Sequence, residues 1–533
     1  MIKSERSQAT ERVDTEVARD PWWSANAIRL AGLAGLALTS ALLYALGIAA
    51  RYPLLAGLAL PRAGWYRVSG GSLQAGLLHA GVYALLTLCY MGALRLVPGL
   101  PTSYWRTTIA VIVGGWLLAS LALLGAYPGE SLDIFDSLFR GRMLAEFGVS
   151  PLAVAPSIFR ELPLYDRITW RGQVDTYGPL WEYASGAVAW SVHQIAGRTD
   201  SLIAYILGYR VLAVALAGVC GALVAAIVGR DAPPLVPVAL LAWLWNPLLL
   251  IATAVGAHND ILMMAALLAG LLLFQRRRWV WGWLALALAA HVKLTALLLL
   301  PVLGLWLVLR CGWRVALRTS ATALVLAIPL SWLLYAPLGG WATLRRMLGE
   351  RARFLVNSPA TQLYRMLQER WGWAEVDAWH ATTRGATVLF FALAGAFLIW
   401  LWWRYRQLAI EKADALLWHS SMVVTILYLL IGSFWFEHWY LLWALAPAAL
   451  LPTGWWTRAL VPAYCLGALW SDLANSFLTI LPGRPLSPTQ VGAINILAQA
   501  LPLLAVIALP LLRSWMSKPL SGKSRQTQLM KHG

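Results

Sequence analysis

Two aspartates, Asp133 and Asp136, stand three residues apart in the stretch SLDIFDSLFRGRMLAEFGVS (131–150), followed by Arg140, Arg142 and Glu146. The surrounding chain of 533 residues is 60% hydrophobic and only 12% charged, so this density of ionisable groups needs a reason. At i, i+3 both carboxyls share one face of a helix. The plain reading is capping and solvation, with Arg140 and Arg142 as ion-pair partners. The chemical reading is a carboxylate beside an apolar cavity, acting as general base toward a hydroxyl. Other polar residues interrupt apolar runs: Tyr177 in YGPL, His258, Asn259 and Asp260 in GAHND, Lys293 in HVK, Glu437 and His438 in FEHWY, and Asp472. Asn259 and Asp260 are ordinary N-terminal helix residues, and an acid there complements the helix dipole. His258 has no such excuse and can hydrogen-bond an anion or position a substrate. The Lys293 ammonium must find a partner or reach an interface, and at a helix break it suits a phosphate. The tryptophans and Tyr440 around FEHWY read as an interfacial aromatic belt, which leaves Glu437 and His438 unexplained.

The elements that must position these residues are membrane helices. Apolar runs of ~17–25 residues recur along the chain, the length that crosses a bilayer, and ionisable groups at that depth usually mark a site or a pathway. Candidate spans fall near 28–50, 73–95, 106–127, 203–229, 234–253, 258–274, 316–337, 386–402, 415–433, 439–452, 457–478 and 491–512, with 279–309 divided at HVK into two short spans. The expectation is an all-α polytopic membrane protein of about 13–14 transmembrane helices. Residues 1–27 form an N-terminal tail, 28–512 the membrane domain and 513–533 a C-terminal tail. The net charge of +18 sits mostly in short loops beside apolar runs. That pattern belongs to cytoplasmic loops and anionic headgroups, not to nucleic-acid binding. Placing the basic clusters at 3–19, 276–278, 310–318, 404–412 and 513–531 in the cytoplasm puts the segments 128–180 and 338–384 outside, with 180–196 re-entrant or lying on the surface. The outer segment 338–384 is rich in arginine, including Arg353, mostly for headgroups with one or two available to a lipid phosphate. The four cysteines are scattered without metal-ligand or disulfide spacing and read as small packing residues. No metal and no bound cofactor are expected.

With these polar groups on one membrane face, the fitting chemistry is transfer of a sugar from a polyprenyl phosphate. The donor brings a leaving group that departs without a proton, so the protein adds one carboxylate base and cations for the released phosphate. No glycine-rich nucleotide loop is present. The rival is a transporter or flippase for a lipid-linked sugar, for which midplane binding groups and inverted repeats would be expected; the sequence shows no repeat.

The blocks DIFDSLFRGRMLAEFGVSP, YGPLWE, WNPLLLIATAVGAHNDILM, HVKLTALLLLP and WYLLWALAP, in that order, resemble GT-C integral-membrane glycosyltransferases over most of 128–452. The likeness is nearest to the bacterial polyprenyl-phosphate-mannose-dependent α-mannosyltransferases. It implies a GT-C bundle whose first extracytoplasmic loop, carrying short surface helices, holds the catalytic aspartate. The matching residue is Asp133, followed by Phe135, Gly141 and Arg142. It also implies an inverting, single-displacement transfer, with mannose as the expected sugar, to a glycan or glycolipid acceptor at the outer face of the plasma membrane. Asp136, Arg142, Tyr177, His258, Asn259, Asp260, Lys293, Arg353, Glu437 and His438 are the expected substrate contacts. Two departures from the family pattern, Ser150-Pro151-Leu152 after the aspartate block and Ala257 before His258, bear on sugar or acceptor preference.

Overall fold

A computed structural model describes residues 24–60, 63–197, 201–351, 355–406, 413–478 and 486–516. Most of both expected tails, and Arg353, lie outside the described residues. The described chain is helical, and its only strand-like pairings are two isolated bridges, Pro53 with Ala126 and Val356 with Trp435. Among the described residues nine helices are long and apolar enough to cross a membrane: Ala25–Ala49, Leu73–Gly99, Thr102–Leu123, Leu202–Asp231, Leu294–Cys311, Trp313–Leu338, Glu375–Tyr405, Asp414–Gly432 and Pro488–Ala508. A tenth crossing arises if Pro233–Leu244 and Pro247–Val255, bent by 55°, count as one. The bend sits at Asn246-Pro247. Proline cannot continue the incoming helix, and the Asn246 side chain caps the outgoing one by accepting from the Leu248 amide at 3.0 Å.

Among the described residues, then, nine or ten helices are long and apolar enough to cross, against the 13–14 expected. The segments at 258–274 and 279–290 fold as Asp260–Gln275 and Trp279–Ala290, of 16 and 12 residues, and 439–452 contains only the eight-residue helix Leu442–Ala449. Such lengths reach only part of the way across a hydrocarbon core of about 30 Å at ~1.5 Å per residue. The break at HVK is where the sequence places it: one helix stops at Ala290 and the next begins at Leu294. Large apolar side chains stay exposed along the spans, among them Leu324, Val325, Leu333, Val388 and Phe391, which is the surface a bilayer covers.

Within 128–180 the principal element is the helix Asp133–Phe147, ended by Gly148 in the left-handed conformation at φ 63°. It is not a surface helix. Every residue from Ile134 to Met143 is buried, because the helix packs against Pro179–Ala196 and is covered by the loop that joins them. The helices approach so closely that a Cβ on Gly141 would collide with the Ser185 carbonyl and the Tyr209 hydroxyl. Two short helices, Trp341–Arg351 and Pro359–Glu369, occupy 338–384, and the long span Glu375–Tyr405 begins there.

Candidate active site

Asp133 and Asp136 both line a cleft holding about 660 Å³ of empty space, counted to its opening on solvent. Their surroundings separate their roles. Asp136 is buried and accepts backbone N–H bonds from Thr169 (3.0 Å) and Trp170 (2.8 Å), so its carboxylate anchors the covering loop. Asp133, one turn earlier, is only partly buried and faces the cleft, and the hydroxyl of Ser131 accepts its backbone N–H at 3.1 Å. Desolvation first, then the neighbouring Asp136 charge, push the Asp133 carboxyl up to about 7, against the opposing pull of Lys293. Burial also raises the Asp136 carboxyl, with Arg140 and the two N–H donors opposing. A carboxyl titrating near neutrality is matched to proton abstraction from a hydroxyl.

Arg140 is the cation of the cleft wall. Its Nη2 donates to the carbonyls of Trp170 (3.2 Å) and Gln173 (3.1 Å), and its Nε lies 3.5 Å from Asp175 Oδ2. The remaining Nη1 is buried without a protein partner. Arg142, the arginine expected to contact substrate, is engaged elsewhere. Its Nε and Nη2 bond Glu146 at 2.8 and 3.0 Å, its Nη1 donates to the Pro163 carbonyl, and Tyr205 donates to the same Glu146. It does not line the cleft.

The other motifs meet at the cleft floor. Tyr177 forms part of the wall, and the YGP turn docks on HVK through Gly178 N–H to Val292 O (2.9 Å) and Leu180 N–H to His291 O (3.0 Å). The fit requires glycine, since a Cβ at 178 would collide with the His291 carbonyl. Lys293 reaches both oxygens of Asp260, at 2.9 and 3.1 Å, and Trp443 Nε1 donates to the same carboxylate at 2.6 Å. The ammonium also lies over the rings of Tyr440 (4.0 Å), Trp443 (5.1 Å) and Tyr177 (5.5 Å). Lys293 and Asp260 are thus a buried pair behind two aromatic cleft residues. His258 lies flat on Trp439, ring centroids 3.6 Å apart, and Asn259 is buried beside it at the start of the helix Asp260–Gln275. Glu437 accepts from Trp435 Nε1 at 2.8 Å, and burial, followed by the Asp133 charge, holds its carboxyl at about 8. Glu437 and His438 line a smaller polar pocket with Asn357, Asp472 and Asn495.

Sequence reasoning passed over Arg140, Asp175 and Glu130. For Arg140 the signal was available: positions 133, 136 and 140 follow i, i+3, i+7 and share a helix face, whereas 142 does not. Asp175 and Glu130 lie in loops where no periodicity points to them. Among the described residues, no group of three or more His, Cys, Asp or Glu side chains is arranged to hold a metal ion.

The cleft residues from Asp133 to Tyr177 lie inside the region that known proteins share with this chain. A family model described as "Alpha-(1->6)-mannopyranosyltransferase, N-terminal domain" matches residues 29–309, and one for glycosyltransferase family 87 matches residues 200–433. The alpha-(1->6)-mannopyranosyltransferase A of Mycobacterium tuberculosis is 28% identical over 405 residues, 73% of this chain and 73% of that protein. Its namesake from Corynebacterium glutamicum is 28% identical over 199 residues, 37% of each. The first match alone spans more than half of the chain and contains Asp133, Asp136, Arg140, Tyr177, Asp260 and Lys293. On that ground the chain belongs to the alpha-(1->6)-mannopyranosyltransferase family of membrane glycosyltransferases.

Proposed function

We propose that this glycosyltransferase moves mannose from a polyprenyl-phosphate donor to a hydroxyl of a glycan or glycolipid, with inversion, at the extracytoplasmic face of the plasma membrane. The observation that carries the reading is the cleft that Asp133 and Arg140 line together, with the buried Nη1 of Arg140 left without a protein partner. Asp133 takes the proton of the acceptor hydroxyl as its oxygen attacks the anomeric carbon. The bond from that carbon to the donor phosphate oxygen breaks, and the lipid phosphate departs with the electron pair. Arg140 meets the charge that develops on the departing phosphate, in a site where a preorganised cation counts for more than in water. A single displacement turns a β-linked donor into an α-linked product. The named sugar of both relatives supports mannose.

The orientation draws on charge. Asp260 and Lys293 stand at the N-terminal ends of Asp260–Gln275 and Leu294–Cys311, whose opposite ends carry Arg276–Arg278 and Arg310. Basic ends mark the cytoplasmic side, so the cleft belongs to the other.

The test is transfer in proteoliposomes supplied with polyprenyl-phosphate-[14C]mannose and a mixed glycan acceptor. Wild type is expected to transfer label, and Asp133→Asn to lose about 10²–10⁴-fold of that rate. Asp136→Asn is expected to retain a measurable fraction, because its oxygen still accepts from the loop. Equal rates in all three would remove Asp133 as base, and a wild type inactive with this donor would remove the donor.

A further inference from the structure

Glu130 takes no part in the chemistry above, yet two of the polar motifs, GAHND and FEHWY, meet on its carboxyl group. Its side chain is wholly buried, with Oε1 3.6 Å from His258 Nε2 and Oε2 3.8 Å from His438 Nε2. The far nitrogen of His438, Nδ1, lies 3.8 Å from Asp472 Oδ1. These separations exceed hydrogen-bond length, so along this ladder the Glu130 carboxyl acts on the two imidazole rings through space, by its charge and by filling the gap between them. Behind it stands Arg210, wholly buried, with Nε and Nη1 donating to the carbonyls of Val255 and Leu124 and a third nitrogen without a partner. The GAHND backbone is fitted to the carboxyl as well, since a Cβ on Gly256 would collide with Glu130 Oε1.

We propose that Glu130 is a positioning residue for the transfer reaction, holding the GAHND and FEHWY turns against the start of the helix that carries Asp133. The inference rests on the glycosyltransferase reading above. Each residue on the ladder lies close in sequence to one that shapes the cleft. Glu130 precedes Asp133 by three residues. His258 precedes Asp260, the partner of Lys293, by two, and His438 precedes Tyr440 by two. Loss of the carboxylate therefore releases three edges of the cleft together while leaving every cleft side chain chemically unchanged. A buried charge is a weak source of stability compared with a neutral isostere, so the glutamate acts on geometry more than on folding.

Steady-state transfer and thermal unfolding of the full-length Glu130→Gln, Glu130→Asp and Asp133→Asn variants in proteoliposomes separate the possibilities. Displacement of reacting groups by about 1 Å costs on the order of 10²-fold in rate. The expectation for Glu130→Gln is therefore a fall of about that size in kcat, with donor KM within about twofold of wild type and no loss of unfolding temperature. Glu130→Asp, which keeps the charge, is expected to recover part of the rate. Wild-type kcat in Glu130→Gln overturns the proposal. So does a parallel loss of kcat and unfolding temperature in which aspartate does no better than glutamine, since that marks a packing role. Unchanged transfer in Asp133→Asn would overturn the base assignment instead and leave the comparison at Glu130 standing.

Discussion

Asp133 holds its proton up to about neutral pH because burial and the Asp136 charge both disfavour the carboxylate. A base works only when deprotonated, so kcat/KM should climb about tenfold per pH unit below about 7 and level off above it. Neutralising the like charge with Asp136→Asn should move that limb to lower pH, and a limb that stays in place would show that another group is titrating. The two nearby arginines should part company. Arg140→Gln is expected to raise donor KM and lower kcat, because it removes a cation that lines the cleft. Arg142→Gln is expected to leave KM alone and cost about 1–3 kcal/mol of stability, because Glu146 loses both its arginine bonds. The family resemblance points to Asp133, which lines the cleft, and to Arg142, which does not, where Arg140 does. Phase along the helix decides between residues two apart, and phase is invisible until the helix has a partner face.

At the scale of elements, the polar groups behind the cleft are joined between helix ends rather than within them. Lys293 and Asp260 begin two different helices and meet as a buried pair. Removing one member leaves an unpaired charge, so Lys293→Gln should cost about 3–5 kcal/mol, measured by detergent-stabilised unfolding. Adding Asp260→Asn should return part of that loss; strict additivity would argue against the pairing. The break at HVK was readable because a lysine interrupts an apolar run. The segment 279–290 reads as a short span, but 260–275 does not, because run length counts apolar residues whether they lie in one helix or continue past its end. The contacts of Glu130 with His258 and His438 span more than a hundred residues of sequence and leave no local trace.

For the whole molecule, orientation is the open physical question, and it is decided by which ends face the cell exterior. Glu161, in the loop over the cleft, and Arg276, at the basic end of a helix, are both exposed. With the native cysteines replaced by serine, a membrane-impermeant maleimide applied to intact cells should label Glu161→Cys and spare Arg276→Cys. The reverse pattern would invert the topology. The helical class and the presence of many spans follow from composition alone, whereas how deep each apolar segment runs depends on neighbours that composition does not name.

Two of the grips on the loop that roofs the cleft fall on its main chain: Asp136 takes the amides of Thr169 and Trp170, and Arg140 takes the carbonyls of Trp170 and Gln173. Neither grip reads a side chain. The side chains at 173 and 176, which both line the cleft, take no part in either grip. If the cleft receives the acceptor as proposed, substitution libraries at these two positions should shift acceptor preference with both grips left intact.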